Sequence, residues 1–232
     1  MKKSMIEAVV FDLDGVITDT AHYHFLAWKQ LANEIGITID ETFNETLKGI
    51  SRLDSLELIL QYGNRQHDFS TEEKEEMANK KNDHYRLYLN DLKPEHVLPG
   101  IPELIRNIKA EGIQIGLASV SKNAGTVLKA LDLEAAFDFC ADAAKISKSK
   151  PDPEIFLTAC SGLGADPLRS IGIEDAVAGI ESIKASGMFA VGVGHTLQKA
   201  DVVFEATNQL QWIKIKEGFD HWISKCETLD SL

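Results

Sequence analysis

Hydrophobic residues follow two rhythms along this chain. From Ile6 to Phe11 they run almost unbroken, interrupted at Glu7, and are rich in β-branched types. Such a run is too short for a helix and predicts a strand buried on both faces of a parallel sheet. Helical spacings follow. Phe25, Trp28, Ala32 and Ile35 share one face, with Asp19 or Thr20 placed to cap the helix and Gly36 to end it. A loop rich in Thr and Asn leads to Lys48-Gly49-Ile50-Ser51-Arg52. Asp54 and Glu57 have capping-box spacing, Leu56, Ile59 and Leu60 point inward, and Gly63-Asn64 is the stop. Ser70 and Glu73 repeat the box and open a long helix to about Asn90, whose charged run Thr71 to Lys81 is expected to be a solvated face. No strand is predicted between residues 16 and 92.

From Pro99-Gly100 the rhythm changes to strict alternation. Helices are predicted over Ile101 to Glu111, Asn123 to Leu131, Pro153 to Leu163 and Ala176 to Ser186. Strands are predicted over Ile113 to Ala118, Phe137 to Ala141, Ser170 to Ile173, Phe189 to Val193 and Val202 to Phe204, with a helical tail carrying Trp212 and Trp222. Alternation of this kind implies parallel strands joined by right-handed crossovers. The first strand belongs to the same sheet. The helical stretch is then an insertion, giving an α/β core of residues 1–15 and 93–232 and a helical cap of residues 16–92, joined by linkers near 15–20 and 90–98.

Composition narrows the function. The 232 residues carry a net charge of −12, which argues against nucleic acid or an anionic membrane as partner. A small phosphorylated molecule, needing only a few local cations, is not excluded. Three widely spaced cysteines form no Cys-x-x-Cys and read as plain thiols of a reducing compartment. Met1-Lys2-Lys3 is basic, but Glu7 interrupts any apolar region behind it, so no signal peptide is expected; nor is there an 18-residue apolar span. A soluble cytoplasmic protein is the expectation.

The chemistry collects at strand ends. The first strand closes in Asp12-Leu13-Asp14-Gly15, and ligands of open α/β sheets bind at the carboxyl ends of the strands. Asp12 and Asp14 face one side, and Gly15 lets the chain turn away. Two acids so close need a cation or a proton to compensate them. The second strand runs into Ser119-Val120-Ser121-Lys122-Asn123 just before a helix, a setting that binds phosphate oxygens. Glu174-Asp175 adds carboxylates at the same edge, as metal ligands or as a cap for the following helix. The loop before Pro153 holds Lys148 and Lys150, of which only Lys150 directly precedes a proline; that bond, to Pro151, is a candidate for cis. Converging acids suit magnesium, which takes few carboxylates and leaves room for waters and a phosphate. Asp12, fixed by the strand, is the candidate covalent nucleophile, and Asp14 the general acid/base.

Asp12-Leu13-Asp14-Gly15-Val16, Ser119-Val120-Ser121, Lys150-Pro151 and Glu174-Asp175 resemble, in order and spacing, the four signature loops of the haloacid dehalogenase superfamily of phosphotransferases. Thr20, His24 and Trp28, with Leu47 to Arg52, extend the resemblance to the phosphosugar mutases of that superfamily. The resemblance implies a Rossmann-like core with an inserted cap. It also implies interconversion of β-glucose 1-phosphate and glucose 6-phosphate through β-glucose 1,6-bisphosphate, the cofactor-like intermediate. Asp12 would be phosphorylated, and magnesium held by Asp12, the Asp14 carbonyl, Glu174 and Asp175. Ser119 and Lys150 would hold the transferring phosphate, helped by Lys122 and Asn123. Arg52 would reach the distal phosphate, Lys48-Gly49-Ile50-Ser51 would line the sugar, and His24 would couple binding to cap closure.

Bland readings stand beside these. Thr20 is either a helix cap or a site residue, Trp28 fits the apolar stripe of its helix, His22 is surface, and Asp54 is a helix cap. Leu53 stands where the family often has an acid, which removes a partner from Arg52. Val120 replaces a common alanine with little consequence, because loop backbone does the binding. The mutase has two alternatives: a magnesium-dependent sugar-phosphate phosphatase on the same machinery, and a non-catalytic phosphate-binding regulator, which two intact aspartates disfavour. A monomer is expected, since one chain completes the site.

Overall fold

The computed structural model describes residues 6–195 and 197–229, with side chains to 226; the Met1-Lys2-Lys3 start lies outside them. The core is a parallel sheet of six strands in the order β3-β2-β1-β4-β5-β6. These are β1 (Ala8–Phe11), β2 (Gln114–Leu117), β3 (Phe139–Cys140), β4 (Ser170–Glu174), β5 (Phe189–Val193) and β6 (Val202–Phe204). The predicted Phe137–Ala141 strand is thus trimmed to two residues, and β4 extends to include Glu174.

Alternation along β1 splits the core in two. Val9 and Phe11 face a layer formed by α5 (Ile101–Ala110), α6 (Ala124–Ala130) and α9 (Trp212–Leu229). Ala8 and Val10 face α7 (Glu154–Leu163) and α8 (Val177–Ala185). Every β1 residue is fully buried, as a central parallel strand demands. Phe11 pairs with Leu117 on one side and Ile173 on the other. Asp12, Ser119 and Glu174–Asp175 therefore emerge side by side at one edge, where the strand order reverses.

Between β1 and α5 the described residues form helices and no sheet strand: α1 (Ala21–Glu34), α2 (Glu41–Asn44), α3 (Arg52–Tyr62) and α4 (Thr71–Leu89). The short α2, capped by Asp40, falls in the stretch read as loop. Phe25, Trp28, Leu31, Leu56, Ile59, Leu60 and Ala78 make a separate apolar cluster there. Tyr85 and Leu89, lower on α4, join the sheet's own core, so α4 runs from the helical cluster into the α/β body. Among the described residues no helix is long and apolar enough to cross a membrane, and Cys140, Cys160 and Cys226 are free thiols.

Candidate active site

The β1 tip is an acid buried against a lysine. Asp12 is 5% exposed, and its backbone N–H donates to the Ile173 carbonyl at 2.9 Å. Lys150 Nζ lies 2.5 Å from Asp12 Oδ1 and 2.8 Å from Glu174 Oε1, and 5.0 Å above the Phe156 ring. Lys148, the competitor in the sequence, is exposed at the surface. The Lys150–Pro151 bond is cis. Glu174 Oε2 accepts from the N–H groups of Asp175 (2.7 Å) and Ala176 (3.1 Å), which fixes the carboxylate at the entry to α8.

Ligand oxygens of Asp12, Glu174 and Asp175 lie within 4.8 Å of one another. Burial, with Glu174 beside it, holds Asp12 above the usual carboxylate range against the pull of Lys150. Burial, then Glu174 and Asp12, pushes Asp175 well above that range. A cluster of hard oxygen donors under such repulsion fits magnesium. Gly15 has a second reason to be glycine besides its φ of +86°: a Cβ there would sit 2.2 Å from Asp175 Oδ2.

Asp14 is reached from the helical segment. The Thr20 hydroxyl donates to Asp14 Oδ1. That corrects Thr20 as a helix cap: it occupies the cap position of α1 but makes no side-chain cap bond, because its hydroxyl is committed to the acid. Burial raises Asp14 above its ordinary value, against the Thr20 bond and the charges of Lys81 and Lys150. His24 Nε2 stands 3.8 Å from Asp14 Oδ2, Nδ1 lies 2.5 Å from Lys81 Nζ, and the ring stacks on Tyr85 at 3.9 Å. Burial, then the cations Lys81 and Arg52, holds His24 well below its ordinary value, so the ring is neutral. The hydrogen-bond network then assigns the tautomer: Nδ1 accepts from the lysine and Nε2–H faces Asp14.

Lys81 overturns the solvated-face expectation for Thr71 to Lys81. It is 2% exposed, with its Nζ 4.6 Å from the Trp28 ring centroid. Burial, then neighbouring Arg52, lowers it to about 7, with Asp14 opposing. The signal was in the helix period: Ala78, Lys81, Tyr85 and Leu89 are the buried stripe of α4, and a lysine on that stripe is out of place unless it has work to do.

A cavity of about 640 Å³ separates the helical segment from the strand tips. Asp12, Asp14 and Val120 to Asn123 line it from the core, and His24 and Lys48 to Arg52 from the other side. Thr20, Ser119, Lys150, Glu174 and Asp175 stand behind this lining and are buried or nearly so. Ser119 Oγ accepts from the Ser121 N–H at 3.1 Å, and Ser121 Oγ from the Asn123 N–H at 3.3 Å, which shapes the loop before α6. Lys48 pairs with Glu45 at 3.0 Å and reaches to 3.8 Å from Asp175. A Cβ on Gly49, at φ +73°, would lie 3.4 Å from the Ala176 Cβ. The Ser51 N–H donates to Ser149 Oγ at 2.6 Å.

Ser51 also corrects the start of α3. Its hydroxyl, not Asp54 and Glu57, forms the cap: it accepts from the Asp54 N–H at 3.2 Å and donates to Asp54 Oδ2 at 2.6 Å. Glu57 is taken by Lys74 at 2.7 Å. The helix begins at Arg52, one residue after the cap, which aims the guanidinium into the cavity. The Ser70–Glu73 box of α4 forms as read.

An Asp-x-Asp strand tip, a serine loop beside it, a buried lysine and a second acidic tip together offer the positioning and charge neutralisation that phosphoryl transfer requires. The chain belongs to the haloacid dehalogenase-like hydrolase family, whose pattern matches residues 6–187. It is 47% identical over 219 residues to beta-phosphoglucomutase of Bacillus subtilis, covering 94% of this chain and 97% of that one. The crystal structure of beta-phosphoglucomutase from Clostridium difficile superposes with a TM-score of 0.92 at 50% identity, covering 94% and 99% of the two chains. A phosphorylated carbohydrates phosphatase of Thermotoga maritima is 28% identical over 87% of this chain and 91% of that one.

Proposed function

We propose that the protein is an isomerase, a phosphosugar mutase that interconverts β-glucose 1-phosphate and glucose 6-phosphate, with residues 16–92 acting as a cap over a core of 1–15 and 93–232. The observation that carries the reading is the cap's own set of cations. Lys48, Arg52 and Lys81 enter the same cavity as Asp12 and Asp14. A hydrolase needs one phosphate site; a mutase needs a second, because its substrate carries phosphate at either end.

In the forward half, the 6-hydroxyl oxygen of β-glucose 1-phosphate attacks the phosphorus held on Asp12. Asp14 takes the hydroxyl proton, the Asp12–phosphorus bond breaks, and β-glucose 1,6-bisphosphate forms. The bisphosphate turns end for end. Asp12 then attacks the C1 phosphorus, and Asp14 returns its proton to the departing C1 oxygen, releasing glucose 6-phosphate. Burial, which raises Asp14, lets it hold a proton and give it back. Ser119 and Lys150 bind the transferring phosphoryl oxygens, with Val120, Ser121, Lys122 and Asn123 forming their loop. Asp12, the Asp14 carbonyl, Glu174 and Asp175 would hold magnesium, which neutralises charge on the phosphoryl group when bound. Arg52 takes the distal phosphate, while Lys48, Gly49, Ile50 and Ser51 border the sugar.

His24 and Lys81 tie Asp14 to the cap: when the cap moves away, both leave the acid. Closure therefore completes the acid/base and excludes water in one motion, which protects the aspartyl phosphate from hydrolysis. The test supplies β-glucose 1-phosphate, magnesium and catalytic β-glucose 1,6-bisphosphate, and measures glucose 6-phosphate and free phosphate. Glucose 6-phosphate is expected to dominate, and Asp12→Asn to form no phosphoenzyme. Mostly free phosphate would make the protein a phosphatase.

A further inference from the structure

One side chain joins the two halves of the site without lining it. Asn82, next to Lys81 on α4 and half-buried, turns its amide oxygen toward the boundary between cap and core. Oδ1 accepts from Arg52 Nη2 at 2.8 Å and from Asn123 Nδ2 at 2.8 Å. Arg52 belongs to the cap, and Asn123 to the core loop before α6. Both line the cavity. Leu53, the residue after Arg52, carries no acceptor, and the neighbouring acid Asp83 acts on the guanidinium only as a charge. A long arginine with no fixed partner samples many rotamers, and ordering it costs free energy on binding.

We propose that Asn82 is a positioning residue: by holding Arg52 and Asn123 on a single oxygen, it sets the aim of the distal-phosphate site and makes that aim conditional on cap closure. The proposal rests on the mutase reading, in which Arg52 takes the distal phosphate. With the cap closed, the amide oxygen anchors the guanidinium against the core loop, leaving its remaining N–H groups free for oxygens of the distal phosphate. With the cap open, the bond from Asn123 is gone and the second anion site falls apart. Helix α4 thus serves both ends of the substrate, with Lys81 turned to the acid/base and Asn82 to the distal phosphate.

The test compares wild type, Asn82→Ala, Arg52→Ala and the double variant on two substrates. One is β-glucose 1-phosphate, followed by glucose 6-phosphate formation and by phosphate release. The other is p-nitrophenyl phosphate, which has no second anion. Alanine is the better helix former at this mid-helix, half-exposed position, so the variant is expected to fold. Losing a bond to a charged donor predicts that Asn82→Ala raises KM for the sugar phosphate about tenfold, with kcat changed less and p-nitrophenyl phosphate hydrolysis within about twofold. In the Arg52→Ala background the same substitution should add less than about twofold, because its effect passes through the arginine. Equal losses on both substrates, no change in KM, or a full tenfold effect without Arg52 would each overturn the positioning role. A wild type that releases only phosphate would sink the mutase reading separately; the KM comparison would then be read from phosphate release.

Discussion

Lys81→Met is the perturbation whose outcome the structure fixes most sharply, because it should stabilise the fold and damage the enzyme at once. Burial and Arg52 depress Lys81 from an ordinary value of 10.5 to about 7. The unfolded chain therefore binds a proton that the folded chain gives up across that window. Stability is undiminished above pH 10.5, falls as the pH drops toward 7, and is flat below. Three and a half pH units at about 1.4 kcal/mol each put the full cost of the charged lysine near 5 kcal/mol. Replacement by methionine removes that cost. It also forfeits the cation–π contact with Trp28, worth about 1 kcal/mol, and strands His24 Nδ1, worth about 1–3 kcal/mol. The net expectation at pH 7 is a gain of about 1–3 kcal/mol. Denaturant unfolding of both proteins from pH 6 to 10 is the assay. The wild type should gain on the variant as the pH rises, and the difference between the curves isolates Lys81 from the buried acids, whose raised values act in the opposite sense. Mutase kcat/KM should fall about 100-fold, since His24 and Asp14 lose their cation. A variant that is less stable at pH 7 and keeps the wild-type slope would refute the burial argument.

Two further outcomes follow from the packing. Gly179 lies in α8, where alanine normally favours the helix by about 1 kcal/mol, yet a Cβ there would meet Glu174 atoms at 1.7 to 2.3 Å. Glu174 is pinned by Lys150 and two N–H groups, so Gly179→Ala should cost about 2–4 kcal/mol and raise the half-activating magnesium concentration at least about tenfold; unchanged unfolding and magnesium titration curves would count against it. Arg52→Ala should raise KM for β-glucose 1-phosphate about 30- to 100-fold and KM for p-nitrophenyl phosphate by less than about threefold; parallel increases would remove Arg52 from the distal phosphate.

The sequence by itself determined the α/β class, the parallel sheet, the helical insertion and the strand-end acids. These are local matters: hydrophobic period, turn chemistry and order along the chain decide them. Even the choice of Lys150 over Lys148 followed from the sequence, because the lysine before a proline matches the family's pattern. What only the tertiary structure decided were side-chain partnerships, some across three or six residues and some across more than fifty. Thr20 looks like a cap until Asp14 folds within reach of its hydroxyl, and Asp54 with Glu57 looks like a capping box until Ser51 and Lys74 claim them. Lys81 sits among charges in the chain, yet it is buried among Trp28, Tyr85 and His24 rather than solvated. The reason is physical: periodicity fixes which face a side chain lies on, but the partners across that face come from packing α4 against α1 and the sheet, and those contacts span some sixty residues of chain.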